Sequence, residues 1–172
     1  MTTVIMPALN EGKNLDILLP IVTKYKFVDE VLVVDSHSTD NTREVVSKYA
    51  KAQLLEAPRG IGRAIREGLL AKKDNNYIIM DADGQHDPSD IPRFISLSHK
   101  YDVVLGVRPN KHFESINRSF TSNFANRIAL SMLGYNINDA TSGFRLLNRK
   151  ARDLAITIPY DDFFFQVALI NR

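Results

Sequence analysis

The 172-residue chain contains no cysteine and no tryptophan. Without cysteine there is no disulfide framework, no thiolate zinc site and no cysteine nucleophile, which fits a reducing, cytoplasmic compartment. Its 8 glycines and 7 prolines are too few for a low-complexity chain, and no solenoid or propeller repeat is present. No apolar run approaches the roughly 20 residues that a membrane-spanning helix requires. Thr3 to Met6 is too short for a signal peptide and lacks its basic flank. What is present is ordinary for a globular protein: 44% apolar and 24% charged residues, in a length that buries one proper core. The chain reads as one domain over 1–172 without an internal linker. Phe163 to Arg172 opens like a helix with no cap or polar tail after it, so the domain is expected to lack its C-terminal end.

Net charge is also small, +2, but it is unevenly spread. From Gly106 to Arg152 the chain carries Arg108, Lys111, Arg118, Arg127, Arg145, Arg149, Lys150 and Arg152 against only Glu114 and Asp139. A basic half favours an anionic ligand or surface, although a solvated basic face has the same composition. Nucleic acid fits poorly, because basic and aromatic residues are not interleaved as single-strand binders require.

Apolar patterning predicts strands at Thr3–Met6, Val31–Val34, Gln53–Glu56, Tyr77–Met80 and Asp102–Gly106. Continuous runs such as Val31-Leu32-Val33-Val34 suit parallel strands covered on both faces. Between them, helical spacing appears in Leu15, Leu18, Leu19 and Val22, in Val45, Val46 and Tyr49 behind a cap at Asp40 or Asn41, in Ala64 to Leu70, and in Ile91 to Leu97. A longer helix is expected from Ser115 to Leu133. Its Phe120, Phe124, Ile128 and Met132 stripe reads as core packing, with a membrane-surface helix as the alternative. Alternating strands and helices argue for an α/β domain with a mostly parallel sheet, whose ligands bind where strands end.

The sharpest local feature follows the fourth strand: Asp81-Ala82-Asp83-Gly84-Gln85-His86. Two carboxylates one residue apart can reach one hard divalent cation, Mg²⁺ or Mn²⁺, and Gln85 adds an amide oxygen. Taken alone, such a pair is as readily a solvated turn. Its place after the most apolar strand favours the metal, because charge there needs a reason. Pro7-Ala8-Leu9-Asn10-Glu11 and Asp35 also fall at strand ends, where amide and carboxylate groups can meet a base edge or ribose hydroxyls; each alone is equally a cap or turn residue. Gly60-Ile61-Gly62 puts glycines at a helix start, where free N–H groups favour phosphate, but its spacing is that of neither a Walker loop nor a dinucleotide fingerprint. No two of the four histidines stand at a metal-ligand spacing; His86 is a neighbour of the acid turn, while His37, His99 and His112 read as loop or surface residues.

Five blocks in order resemble the family 2 glycosyltransferases of the GT-A fold, and most closely the dolichyl-phosphate mannose synthase-like, polyprenyl-phosphate branch. They are Pro7 to Glu11, Val33 to Thr42, Arg59 to Ala64, Asp81 to Pro88, and Asp139-Ala140-Thr141-Ser142-Gly143-Phe144-Arg145. The resemblance implies a Rossmann-like, three-layer αβα domain. It implies that Pro7, Asn10, Glu11, Asp35, Asp81 and Ala82 hold the nucleotide, and that Asp81, Asp83 and Gln85 hold Mg²⁺ or Mn²⁺. It further implies that Arg108, Arg118, Ser122 and Arg145, with Asn126, meet an acceptor phosphate. The catalytic candidates are Asp83, in the acid turn, and Asp139. Two departures stand out. The family's Asp-Asp-Gly-Ser block reads Asp35-Ser36-His37-Ser38 here, and Ala168 replaces the Glu of a Phe-Gln-x-Glu element.

The expected chemistry is an inverting displacement in which a nucleotide-sugar, GDP- or UDP-linked, gives its sugar to an acceptor such as polyprenyl (dolichyl) phosphate. A phosphate acceptor is already an anion, so it needs arginines to aim it rather than a strong base. This accounts for the basic second half, and it would place the enzyme at the cytoplasmic face of a membrane in peripheral contact. A sugar-hydroxyl acceptor would need a carboxylate base instead, with Asp139 first in line. A nucleotidyltransferase fits less well, as no Gly-rich basic loop follows the first strand. A nucleotide-binding module without activity is the remaining alternative.

Overall fold

The computed structural model describes residues 1–106, 142–162 and 164–169. Six strands form one sheet: Thr2–Ala8 (β1), Glu30–Asp35 (β2), Ala52–Glu56 (β3), Asn76–Ile79 (β4), Val103–Leu105 (β5) and Arg145–Asn148 (β6). Their spatial order is β3-β2-β1-β4-β6-β5. Strands β1 to β4 pair in parallel, while β6 lies antiparallel to both β4 and β5. The mostly parallel sheet is thus as expected, with one reversed strand that the apolar pattern does not announce.

The helices are Gly12–Val22 (α1), Thr42–Ser47 (α2), Ile61–Ala71 (α3), Ile91–Leu97 (α4), Arg149–Ala155 (α5) and Phe164–Ala168 (α6), with a 3-10 turn at Pro88–Asp90. They divide between the two sheet faces because successive strand residues point to opposite sides. Val4, Met6, Val31, Val33, Ile78 and Met80 pack with Leu15, Leu19, Val45, Val46 and Phe94 of α1, α2 and α4. Ile5, Leu32, Val34, Tyr77 and Ile79 pack with Ile65, Leu69, Ala151, Ala155 and Phe165 of α3, α5 and α6. Both faces are buried, which is why the central strands read as unbroken apolar runs. The result is a three-layer αβα domain.

From β1 the chain winds outward through β2 to β3, then returns to place β4 on the other side of β1. The switch point between β1 and β4 opens a crevice at their carboxyl ends, the usual ligand position in an open α/β sheet. The predicted helix over 115–133 lies outside the described residues, as do Arg108, Arg118, Ser122, Asn126 and Asp139. Among the described residues, no helix is long and apolar enough to cross a membrane.

Candidate functional site

Two loops at the carboxyl ends of β1 and β2 interlock. Ser38 accepts from the Asn10 N–H at 2.8 Å, and Asn10 Oδ1 accepts from the Thr39 N–H at 2.8 Å. Buried Asp35 accepts from the N–H and hydroxyl of Ser38. Asp40 accepts from the Gly12 N–H at 2.9 Å and from the N–H and hydroxyl of Thr42, while the Thr42 hydroxyl accepts from the Glu11 N–H at 3.1 Å. The Thr42 hydroxyl and these N–H donors hold the Asp40 carboxyl below its ordinary pKa. Asn10 and Asp35 thus lie at neighbouring strand ends, where the oxygens described here brace the loop pair.

Beside these loops lies a cavity of about 210 Å³ lined by Pro7, Ala8, Leu9, Ser36, Arg59, Gly60, Ile61 and Ala64. Its walls are mostly apolar side chains with main chain between them, a surface suited to a flat ring. The expected phosphate role of the Gly60-Ile61-Gly62 helix start is corrected: the Gly62 and Arg63 N–H groups both donate to the Asp161 carbonyl, at 3.0 and 3.2 Å. A protein carbonyl already caps that terminus, so those N–H groups are not open to an anion.

The acid turn occupies the other side of β1. Gly84 adopts φ 76°, a left-handed conformation that glycine takes without a Cβ penalty and that reverses the chain after Asp83. Asp83 is exposed, and one of its oxygens accepts from the Gln85 N–H at 3.0 Å. Gln85 is exposed too. Ala82 is 2% exposed and packs into the core, so any contact it makes with a nucleotide is through its main chain. Glu11 accepts from the Asn14 amide at 2.6 Å, and Asn14 in turn borders Gly84. That chain of contacts joins the first loop to the acid turn across the switch point.

Asp81 is the most constrained member of the turn. The antiparallel pairing of Ile79 with Arg145 carries on to set Asp81 against Gly143. A Cβ at Gly143 would collide with the Asp81 carboxyl group, so only glycine permits this approach. His86 is 4% exposed, and its Nε2 lies 3.2 Å from Asp81 Oδ2. An ionised carboxylate only accepts, so this contact requires the hydrogen on Nε2. The His86 ring packs on Phe144 at 5.1 Å, and Phe144 on Phe94 at 4.5 Å. Among the described residues, buried Asp81 Oδ1 finds no hydrogen-bond partner. A buried acceptor left unmatched is costly, and this one points to a ligand. Among the described residues no three acidic or histidine side chains converge on one point; the turn offers two carboxylates and the Gln85 amide, a donor set suited to a hard cation that also takes phosphate oxygens.

Arg145 requires a second correction. It is 1% exposed, and its guanidinium donates to the Gln166 carbonyl at 2.9 Å, to Gln166 Oε1 at 2.8 Å and to the Ser142 carbonyl. Those N–H groups tie β6 to α6 and support the Ser142-Gly143 backbone beneath Asp81, rather than facing an acceptor phosphate. Reading the sequence misses the support given by Gly143, Phe144 and Ser38. The signal was in the blocks Val33 to Thr42 and Asp139 to Arg145, which contain these residues without saying what each supports.

A family model described as glycosyl transferase family 2 matches residues 3–154. An uncharacterized glycosyltransferase of Mycobacterium bovis and one of Mycobacterium tuberculosis are each 35% identical over 108 residues, covering 62% of this chain and 48% of theirs. The chain spans about half the length of these curated relatives. Among solved structures, the glucosyl-3-phosphoglycerate synthase of Mycobacterium tuberculosis in complex with UDP superposes with a TM-score of 0.74 at 22% identity, over 99% of this chain and 64% of that one. The same synthase with Mn²⁺, UDP-glucose and phosphoglyceric acid also gives 0.74, at 22% identity over 99% of this chain and 63% of that one. At that identity the likeness establishes the fold, and the family match over residues 3–154 establishes the rest: the chain belongs to glycosyltransferase family 2.

Proposed function

We propose that this chain is the catalytic domain of a glycosyltransferase that takes a sugar from a nucleotide-sugar and gives it to an acceptor carrying a phosphate. One observation carries the reading: at the β1–β4 switch point, an acid turn with a buried, unpartnered Asp81 oxygen stands beside a braced loop pair and a ring-sized cavity. The cavity takes the nucleoside, and the acid turn takes the diphosphate. Asp81, Asp83 and Gln85 would hold Mg²⁺ or Mn²⁺, which neutralises charge on a departing nucleoside diphosphate. The chain's own contribution is geometric. Gly143 and His86 fix the Asp81 carboxylate, and Asn10 with Ser38 fixes the loops over which the nucleoside lies.

For the acceptor, the block-by-block resemblance favours a polyprenyl phosphate, while the solved synthase binds phosphoglyceric acid. A phosphate is common to both and fits the basic residues between 106 and 152. Peripheral membrane contact follows only from the lipid acceptor. Arg108, Arg118 and Ser122 are assigned to acceptor binding on the resemblance alone, and Asp139 would serve as a base only for a sugar-hydroxyl acceptor.

The test is a transfer assay with UDP- and GDP-sugars, with polyprenyl phosphate and phosphoglycerate offered in parallel and Mn²⁺ present or withheld. Metal-dependent transfer is expected to one phosphate-bearing acceptor, and Asp83→Ala should abolish it. Neither hydrolysis nor transfer with any nucleotide-sugar would leave a binding module without activity as the better account.

A further inference from the structure

Only two residues other than glycine have positive φ in the described chain, Asn10 at 60° and His37 at 63°. Side chains other than glycine pay for this conformation, so each needs something that holds it there. For Asn10 the reason is visible: its Oδ1 accepts from the Thr39 N–H at 2.8 Å, and the bond locks the two loops together. The His37 ring has no such partner. It is exposed, and it makes no hydrogen bond, ion pair or ring contact among the described residues. Its turn is fixed from both sides, by Ser36 donating to the Ala8 carbonyl at 2.9 Å and by Ser38 bonded to Asp35 and Asn10. The fold therefore determines the backbone, which a glycine would satisfy with less strain, and it gains nothing visible from the imidazole.

The position indicates what the ring meets. Ser36 lines the cavity, and His37 is the next residue along the same loop, with its side chain exposed. Strand order places β2 on one side of β1 and the acid turn of β4 on the other. The two loops are thus about two strand spacings apart, roughly 10 Å. A nucleoside diphosphate whose diphosphate lies at Asp81 and Asp83 places its nucleoside on the β2 side. An imidazole offers a donor, an acceptor and a flat face to a base or ribose.

We propose that His37 is a specificity-determining residue that contacts the nucleoside of the donor, and that its left-handed backbone is retained for this contact at some expense of stability. The inference rests on the nucleotide-sugar reading above. The experiment measures affinity for UDP, GDP and inorganic diphosphate, each with Mn²⁺, in wild type, His37→Gly and His37→Asn; asparagine tolerates the same backbone but lacks the ring. Both variants should melt no lower than wild type by more than about 2 °C, on the order of a half-kilocalorie change. Both should lose about tenfold in affinity for the preferred nucleoside diphosphate, one contact's worth, while inorganic diphosphate binding stays unchanged. Equal nucleotide affinity in either folded variant would overturn the inference and leave the donor reading standing. Parallel loss of inorganic diphosphate would also overturn it, by showing that the effect is not at the nucleoside. If wild type bound neither UDP nor GDP, both the inference and the donor reading would fall.

Discussion

The carboxyl group of Asp81 lies over the backbone of Gly143, with one oxygen beside His86 and the other buried without a partner among the described residues. Its orientation is set by the space at residue 143 and by a ring that itself packs, tilted, against Phe144. Preorganisation of this kind decides rates, because a displacement of about 1 Å at a reacting centre can cost on the order of 100-fold. We predict that Gly143→Ala lowers Mn²⁺-dependent transfer by about that factor. The added methyl must push Asp81 away or open the β4–β6 pairing, an overpacking cost of about 1–3 kcal/mol. Assays run well below the variant's own melting temperature separate the two effects. Full activity in a folded Gly143→Ala protein would show that Asp81 needs no such support.

At the level of elements, the starts of α1 and α2 are held together by one acid. Asp40 joins Gly12 at the head of α1 to Thr42 at the head of α2, and both loops flank the proposed nucleoside cavity. The Thr42 hydroxyl, with the two N–H donors, lowers the Asp40 pKa. A depressed carboxylate stabilises the fold above the unfolded value of about 3.9, and that stability is lost as pH falls through its own lower value. Below about pH 4, then, the loop pair should loosen before the sheet does. Hydrogen exchange at Gly12 and Thr42 followed through acid titration would show the change, and Asp40→Asn should remove most of its pH dependence. None of these ties was legible in the sequence. Partners such as Gly12 and Asp40 stand 28 residues apart, and local pattern carries no information about which loops meet. Asp40 itself reads only as a helix cap. Strand β6 escaped for a different reason: Arg145-Leu146-Leu147-Asn148 is short and begins with a charge. A buried arginine in that place looks like a ligand-binding residue until its acceptors on Gln166 and Ser142 are seen.

For the whole molecule, the legible part was what two buried sheet faces impose on sequence: unbroken apolar strands, each followed by polar residues at its carboxyl end. That was enough to place Pro7 to Glu11, Asp35 and Asp81 to Gln85 at one edge of the sheet, and strand order brings the first and last of these to the switch point. Because the proposed site is assembled from three loops on separate strands, a ligand that bridges them should bind the folded state alone. Such a ligand stabilises by linkage: at a concentration of 100 times Kd the gain is about 2.7 kcal/mol. For a domain of this size that corresponds to a rise in Tm of about 5–10 °C. We predict that UDP or GDP gives this rise when Mn²⁺ is present. Without the cation, a diphosphate bound as proposed would face the carboxylates of Asp81 and Asp83 unscreened, and the rise should be much smaller. Differential scanning fluorimetry over a nucleotide titration, with Mn²⁺ and with chelator, measures both terms. The Tm must climb with the logarithm of ligand concentration, as mass action requires; an equal rise with chelator would place nucleotide binding outside the acid turn.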